Sequence, residues 1–187
     1  MKRGEDGPML EWLENVNKWG FCFVKGVPAT PEATQELIER IAFIRVTHYG
    51  GFWDFTADLA HGDTAYTNLA LKAHTDSTYF TDPCGLQIFH LLSHTEGAGG
   101  ESLLVDGFRA ATLLGQANPA HLDVLARTKV PTHAVGDAEY HFMMPEERGN
   151  RIVELSQDGS EPVRVAYNND DRGTIRGKKT VEELDTW

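Results

Sequence analysis

The chain has little cysteine and little positive charge. Cys22 and Cys84 are two isolated residues without the paired spacing of a zinc site, and two are too few for a disulfide framework, so a reducing compartment fits. The 17 Lys and Arg are outnumbered by 28 Asp and Glu, and the net charge is −11. With no basic run to offset that charge, nucleic acid and anionic membrane surfaces are excluded as expected partners. No apolar stretch approaches the length of a membrane span, and Met1 to Gly7 is followed by no long apolar segment. No secretory signal, anchor or transit peptide is expected, which leaves the cytoplasm or the mitochondrial matrix as the location. Internal repeats and low-complexity segments are also missing.

The 187 residues are 41% hydrophobic, enough for one domain with a core and too short for two of ordinary size. Leu10, Leu13, Val16 and Trp19 have helical spacing. Gly20 to Val27 reads as a short buried strand. Thr30-Pro31-Glu32 has the cap, first-turn proline and acidic residue of a helix start, with Leu37, Ile38, Ile41 and Ile44 as its apolar stripe. The mixture of Gly, Asp and aromatics from Tyr49 to Thr67 reads as loop. Residues 84–92 and 101–106 read as strands joined by a glycine-rich turn. Asp106 is placed to cap a helix reaching about Gly115, and Asn118-Pro119 to start another reaching Arg127. Short strands are expected near 129–135, 151–156 and 162–167, and Thr180 to Thr186 looks like the opening of a helix.

The most informative segment is Ala73-His74-Thr75-Asp76-Ser77-Thr78-Tyr79-Phe80. A His and an Asp two apart on extended backbone share a face, so a neutral imidazole and a carboxylate can meet one cation. They make up two thirds of a 2-His-1-carboxylate iron site. The spacing alone arises by chance in a chain with this much His and Asp, and a surface strand with a polar face is the alternative reading. The flanks add weight: Thr47-His48-Tyr49-Gly50-Gly51-Phe52-Trp53 and Asp63-Thr64-Ala65-Tyr66-Thr67 upstream, then Pro83-Cys84-Gly85 and Gly99-Gly100-Glu101-Ser102-Leu103-Leu104-Val105-Asp106-Gly107-Phe108 downstream.

With these segments the chain resembles the taurine dioxygenase-like family, in its branch of trimethyllysine and gamma-butyrobetaine dioxygenases. The resemblance is strong from Leu10 to Ala111 and looser through Tyr167-Asn168-Asn169-Asp170-Asp171-Arg172. It implies a mostly β (α+β) double-stranded β-helix, or jelly roll, with flanking helices, formed by one oxygenase domain over residues 1–187. It also implies iron(II), 2-oxoglutarate, dioxygen and ascorbate, with hydroxylation of C3 of N6,N6,N6-trimethyl-L-lysine at the start of carnitine biosynthesis. Gamma-butyrobetaine hydroxylation is the nearest alternative.

Through the resemblance, His74 and Asp76 are the catalytic metal ligands, and Tyr49, Trp53 and Tyr66 surround a quaternary ammonium group by cation–π attraction. Ordinary packing is the other role open to those three rings. Asp63 could pair with the substrate's α-ammonium or be an exposed loop residue. Asn168 and Asn169 could bind the amino-acid end of the substrate or merely form a turn, and Ser102 could donate to 2-oxoglutarate or face solvent. The expected partner is thus a small quaternary ammonium amino acid, with a homodimer left open. In the family a distal His and an Arg complete the site. Of the histidines after Asp76, which are His90, His94, His121, His133 and His141, none sits in that distal motif, and only His133 and His141 offer themselves as substitutes. The domain is therefore expected to be cut short at its C-terminus, and an inactive piece that dimerises or binds quaternary ammonium compounds is the rival reading.

Overall fold

Local capping chemistry starts three helices where the sequence places it, after Thr30, Asp106 and Asn118. The computed structural model describes residues 6–56, 70–95, 98–134, 141–176 and 180–186. They divide into two units, Met1–Phe55 with Leu86–Gly99, and Thr56–Gly85 with Gly100–Trp187.

In the first unit α1 spans Asp6–Trp19 and ends at Gly20, whose φ of 79° suits a left-handed cap and whose amide donates to Val16 O at 2.8 Å. Its buried residue is Trp12, while Leu10, Leu13 and Trp19 are exposed. In α2, Pro31–Glu39, the Thr30 hydroxyl accepts from Ala33 N, satisfying one of the amides that a helix start leaves over. Thr34 is buried on this helix; its hydroxyl donates to Thr30 O at 2.8 Å and faces Nδ1 of His90 at 2.7 Å. The hydroxyl's single proton is committed to the carbonyl, so His90 is the donor of that second bond. His90 thereby ties the 86–92 segment to α2.

In the second unit α3 (Gly107–Ala117) is capped by Asp106, which accepts from Arg109 N, and α4 (Pro119–Arg127) by Asn118, which accepts from Ala120 N. The two helices approach closely at Gly115, where an added Cβ would lie 2.6 Å from Leu122 Cδ2. Short strands follow among the described residues: β1 (Lys129–Val130), β2 (Thr132–Ala134), β3 (Phe142–Met144), β4 (Asn150–Arg151), β5 (Val153–Leu155) and β6 (Pro162–Val165). They pair antiparallel as β1 with β4, β2 with β3 and β5 with β6. Residues 171–173 join β2 through a Thr132–Arg172 bridge, with His133 N donating to Asp171 O and Gly173 N to Pro131 O, each at 2.8 Å. Tyr79, Ala111, Val130, Met144, Val153 and Ala166 are buried in this unit, and Tyr79 stacks on Phe142 with ring centres 5.9 Å apart. A short helix, α5, covers Val181–Thr186.

Three expected strands are not formed. Residues 20–27, 84–92 and 101–106 have no ladder partner among the described residues. Phe23, Phe89, Leu91 and Leu103 are left 72–83% exposed. Apolar composition favours a strand only where another backbone receives its hydrogen bonds. The described strands accordingly make three two-stranded sheets, and no closed jelly roll is seen among the described residues. No helix among them is long and apolar enough to cross a membrane.

Candidate functional site

His74 and Asp76 do meet, although no ladder strand carries them. His74 Nε2 lies 3.1 Å from Asp76 Oδ1, with the side chains 26% and 48% exposed. The other ring nitrogen, Nδ1, is 2.6 Å from Lys72 O. A carbonyl can only accept, so Nδ1 bears a proton and Nε2 is the nitrogen left to bind a cation. Were the imidazole neutral with nothing between the two groups, the Nε2 lone pair would oppose a carboxylate oxygen. The arrangement therefore suits a shared cation, either a proton or a metal ion. Two ligand atoms each about 2.1 Å from one metal and at right angles are about 3 Å apart, so this donor set fits such an ion.

The backbone beneath the pair is held on both sides. Thr75 N donates to Tyr167 O at 2.7 Å, and Tyr167 N donates to Thr75 Oγ1 at 2.9 Å. Ser77 has φ 60°, in the left-handed region, and Phe80 N closes the turn onto Ser77 O at 3.0 Å. Thr78, buried, donates its hydroxyl to Asp171 Oδ2 at 2.9 Å. Burial raises the Asp171 pKa from its ordinary value; the Thr78 bond opposes that shift, the Asp76 charge adds to it, and His133 and His74 oppose it. Asp171, His133, His74 and Asp76 therefore share one electrostatic neighbourhood. Thr78, Thr132, Asn150, Tyr167, Asn168 and Arg172 line a small crevice beside it.

The remaining candidates divide. Tyr49 and Trp53 stack at 5.8 Å between ring centres with planes 19° apart, and Trp53 is 43% exposed. Tyr49 is delivered by a tight Thr47–Gly50 turn, in which Thr47 N and Gly50 N each donate to the other's carbonyl and Gly50 takes φ 105°. Tyr66 and Asp63 lie outside the described residues. Asn168 Oδ1 accepts from Asp170 N at 3.0 Å, the local turn that Asn favours, while Asn169 is exposed. Ser102 is exposed on the 101–106 segment.

Among the described residues no three His, Cys, Asp or Glu side chains are grouped to hold a metal ion. His94 Nε2 is 3.2 Å from Gly99 O, His121 lies on α4, His133 is in β2 and His141 is exposed just before β3. Ser77, Thr78 and Asp171 lie at the same place without being marked in the sequence; the Thr78–Asp171 bond spans 93 positions, which no local pattern displays.

Residues 4–180 match the taurine catabolism dioxygenase TauD, TfdA family. Trimethyllysine dioxygenase of Neurospora crassa is 45% identical over 86% of this chain and 41% of that protein. The mitochondrial trimethyllysine dioxygenase of Mus musculus is 44% identical over 89% of this chain and 39% of its own length. Gamma-butyrobetaine dioxygenase of Homo sapiens is 31% identical over 91% of this chain and 43% of that protein. The chain thus spans about two fifths of the length of these curated relatives. With the match running almost from end to end, this chain belongs to the taurine catabolism dioxygenase TauD, TfdA family.

Proposed function

We propose that the chain carries the substrate cage and two of the metal ligands of an iron(II)- and 2-oxoglutarate-dependent dioxygenase that hydroxylates C3 of N6,N6,N6-trimethyl-L-lysine. The observation that carries this reading is the His74–Asp76 pair, 3.1 Å apart, with the far side of the imidazole fixed on a backbone carbonyl. The family supports iron and the jelly-roll architecture. The trimethyllysine relatives, at 44–45% identity, support that substrate over gamma-butyrobetaine, for which the relative is 31% identical.

When bound, iron(II) supplies the oxidising chemistry, with 2-oxoglutarate as the electron source and dioxygen as the oxidant. His74 offers Nε2 and Asp76 a carboxylate oxygen to the ion, and solvent exposure leaves room for further ligands. Tyr49 and Trp53 offer aromatic faces to the trimethylammonium group, which has no N–H to donate. Tyr66, Asp63, Asn168, Asn169 and Ser102 complete the proposed roles in substrate and 2-oxoglutarate binding.

Calorimetric titration of the purified chain tests the reading. Binding of trimethyllysine in preference to gamma-butyrobetaine, together with binding of iron(II) under anaerobic conditions that His74→Ala removes, is expected. Equal affinity for the two quaternary amines would overturn the substrate, and iron binding indifferent to His74→Ala would overturn the site.

A further inference from the structure

We propose that Thr78 is a positioning residue that fixes the backbone from which His74 and Asp76 project. The inference rests on reading that pair as metal ligands. Both ligand side chains are partly exposed, at 26% and 48%, so the course of the chain beneath them bears directly on their placement. Thr78 is where that chain is anchored. It is 4% exposed, and three segments bond to it.

Its carbonyl accepts from Thr132 Oγ1 of β2 and from Asn150 Nδ2 of β4, both at 3.0 Å. Its hydroxyl donates to Asp171 Oδ2 at 2.9 Å. Both carbonyl acceptor positions and the hydroxyl proton are thus in use. Asn150 is oriented in turn, because its Oδ1 accepts from Arg164 at 3.3 Å and its Nδ2 is thereby directed to Thr78. Arg164 is itself held by Glu154 at 3.1 Å.

Between Asp76 and this anchor stands Ser77 in the left-handed region, a conformation that persists for a residue with a side chain only where the surroundings impose it. The anchor imposes it. Thr75 and Thr78 are tied to Tyr167 and Asp171, so two points on the ligand loop are fixed to two points on one neighbouring segment. A ligand pair must be held to within about half an ångström to share an ion, and a two-point attachment of the backbone adds that restraint to the one that Lys72 O places on the imidazole.

Amide exchange on the metal-free chain tests this. The Thr75 amide, bonded to Tyr167 O, reports on the ligand loop, and the Asn118 amide, bonded to Leu114 O, on an independent helix end. Thr78→Val is expected to raise exchange at Thr75 at least tenfold and leave Asn118 within about twofold. Thr78→Ser should return Thr75 to near its original rate. Cobalt(II) affinity should fall about tenfold in Thr78→Val and recover in Thr78→Ser. Unchanged exchange at Thr75 in Thr78→Val overturns the proposal. If both amides accelerate together, Asp171→Ala decides, since it removes the acceptor of the hydroxyl and leaves Thr78 itself unchanged, and amide exchange is read on the metal-free chain: selective loosening at Thr75 supports the anchor and none overturns it. Should the original chain bind no cobalt(II) through His74 while the exchange results hold, the metal reading falls and the anchoring role stands.

Discussion

The imidazole of His74 is gripped from one side and presented from the other: Nδ1 donates to Lys72 O at 2.6 Å while Nε2 faces Asp76 Oδ1 at 3.1 Å. The presented side determines the first prediction. His74→Ala or Asp76→Ala should weaken divalent metal binding by at least tenfold, about 1.4 kcal/mol. The unfolding midpoint should shift little, because both side chains are partly exposed and add little to the core. Cobalt(II) titration with a parallel thermal melt measures the two effects separately.

Trp53→Ala should weaken trimethyllysine binding by roughly 1–2 kcal/mol, the range for a desolvated cation–π contact. Trp53 stacks on Tyr49 with ring planes 19° apart, so loss of the indole also removes the face that braces the tyrosine. Calorimetry against unmethylated lysine provides the control. An equal loss for that ligand would mean the rings are packing rather than recognising methyl groups.

Asp63→Asn should move preference away from trimethyllysine and toward gamma-butyrobetaine, because a carboxylate attracts the α-ammonium that only the first ligand has. Competition between the two amines gives the ratio. An unchanged ratio would take Asp63 out of the specificity argument.

Gly149 marks a close backbone approach. It is buried, and a Cβ there would collide with the carbonyl of Val130 across the β1–β4 pair. Gly149→Ala should destabilise the chain by about 3 kcal/mol, at the upper end for overpacking, since backbone rather than a flexible side chain is the obstacle. Denaturant unfolding measures it.

The β5–β6 connection carries a pH-dependent bond set. Asp158 Oδ1 accepts from Ser156 Oγ and Ser160 Oγ, both at 2.7 Å, and from Ser160 N at 3.0 Å. The Ser156 bond leads in lowering its pKa from 3.8 to about 2, followed by the two Ser160 bonds. For an acid whose pKa is depressed on folding, the stabilisation is fully present above the unfolded value and is lost as pH falls through the folded one. The connection should therefore loosen between about pH 4 and pH 2, and Asp158→Ala should remove that pH dependence. Exchange of the Glu161 amide, which donates to Ser156 Oγ, reports it.

The parts of the fold legible in advance are those whose chemistry is local. Thr30, Asp106 and Asn118 each cap a helix within two or three residues of their own position, so a short window of sequence contains both partners of the bond. Residues 20–27, 84–92 and 101–106 have the composition of strands, yet strand formation depends on a backbone elsewhere, and the described residues provide none for them. Trp12, rather than Leu10 or Leu13, faces inward on α1 because helical spacing gives a stripe without saying which edge of it meets the rest of the unit.

For the site, the sequence by itself determined the donor chemistry. A His and an Asp two residues apart, followed by Ser77-Thr78-Tyr79-Phe80, already bring one imidazole and one carboxylate close together, read from sequence as sharing a face of extended backbone. Tertiary structure alone decided how that loop is held. The partners of Thr75 and Thr78 are Tyr167 and Asp171, about ninety positions away, and Thr132 and Asn150 reach the same carbonyl from two different strand pairs. Bonds of that separation need β2, β4 and the 167–173 segment in place, because the entropy of closing so long a loop is offset only when several contacts form together. The placement of His74 and Asp76 is therefore a property of the folded chain and not of the motif in which they occur.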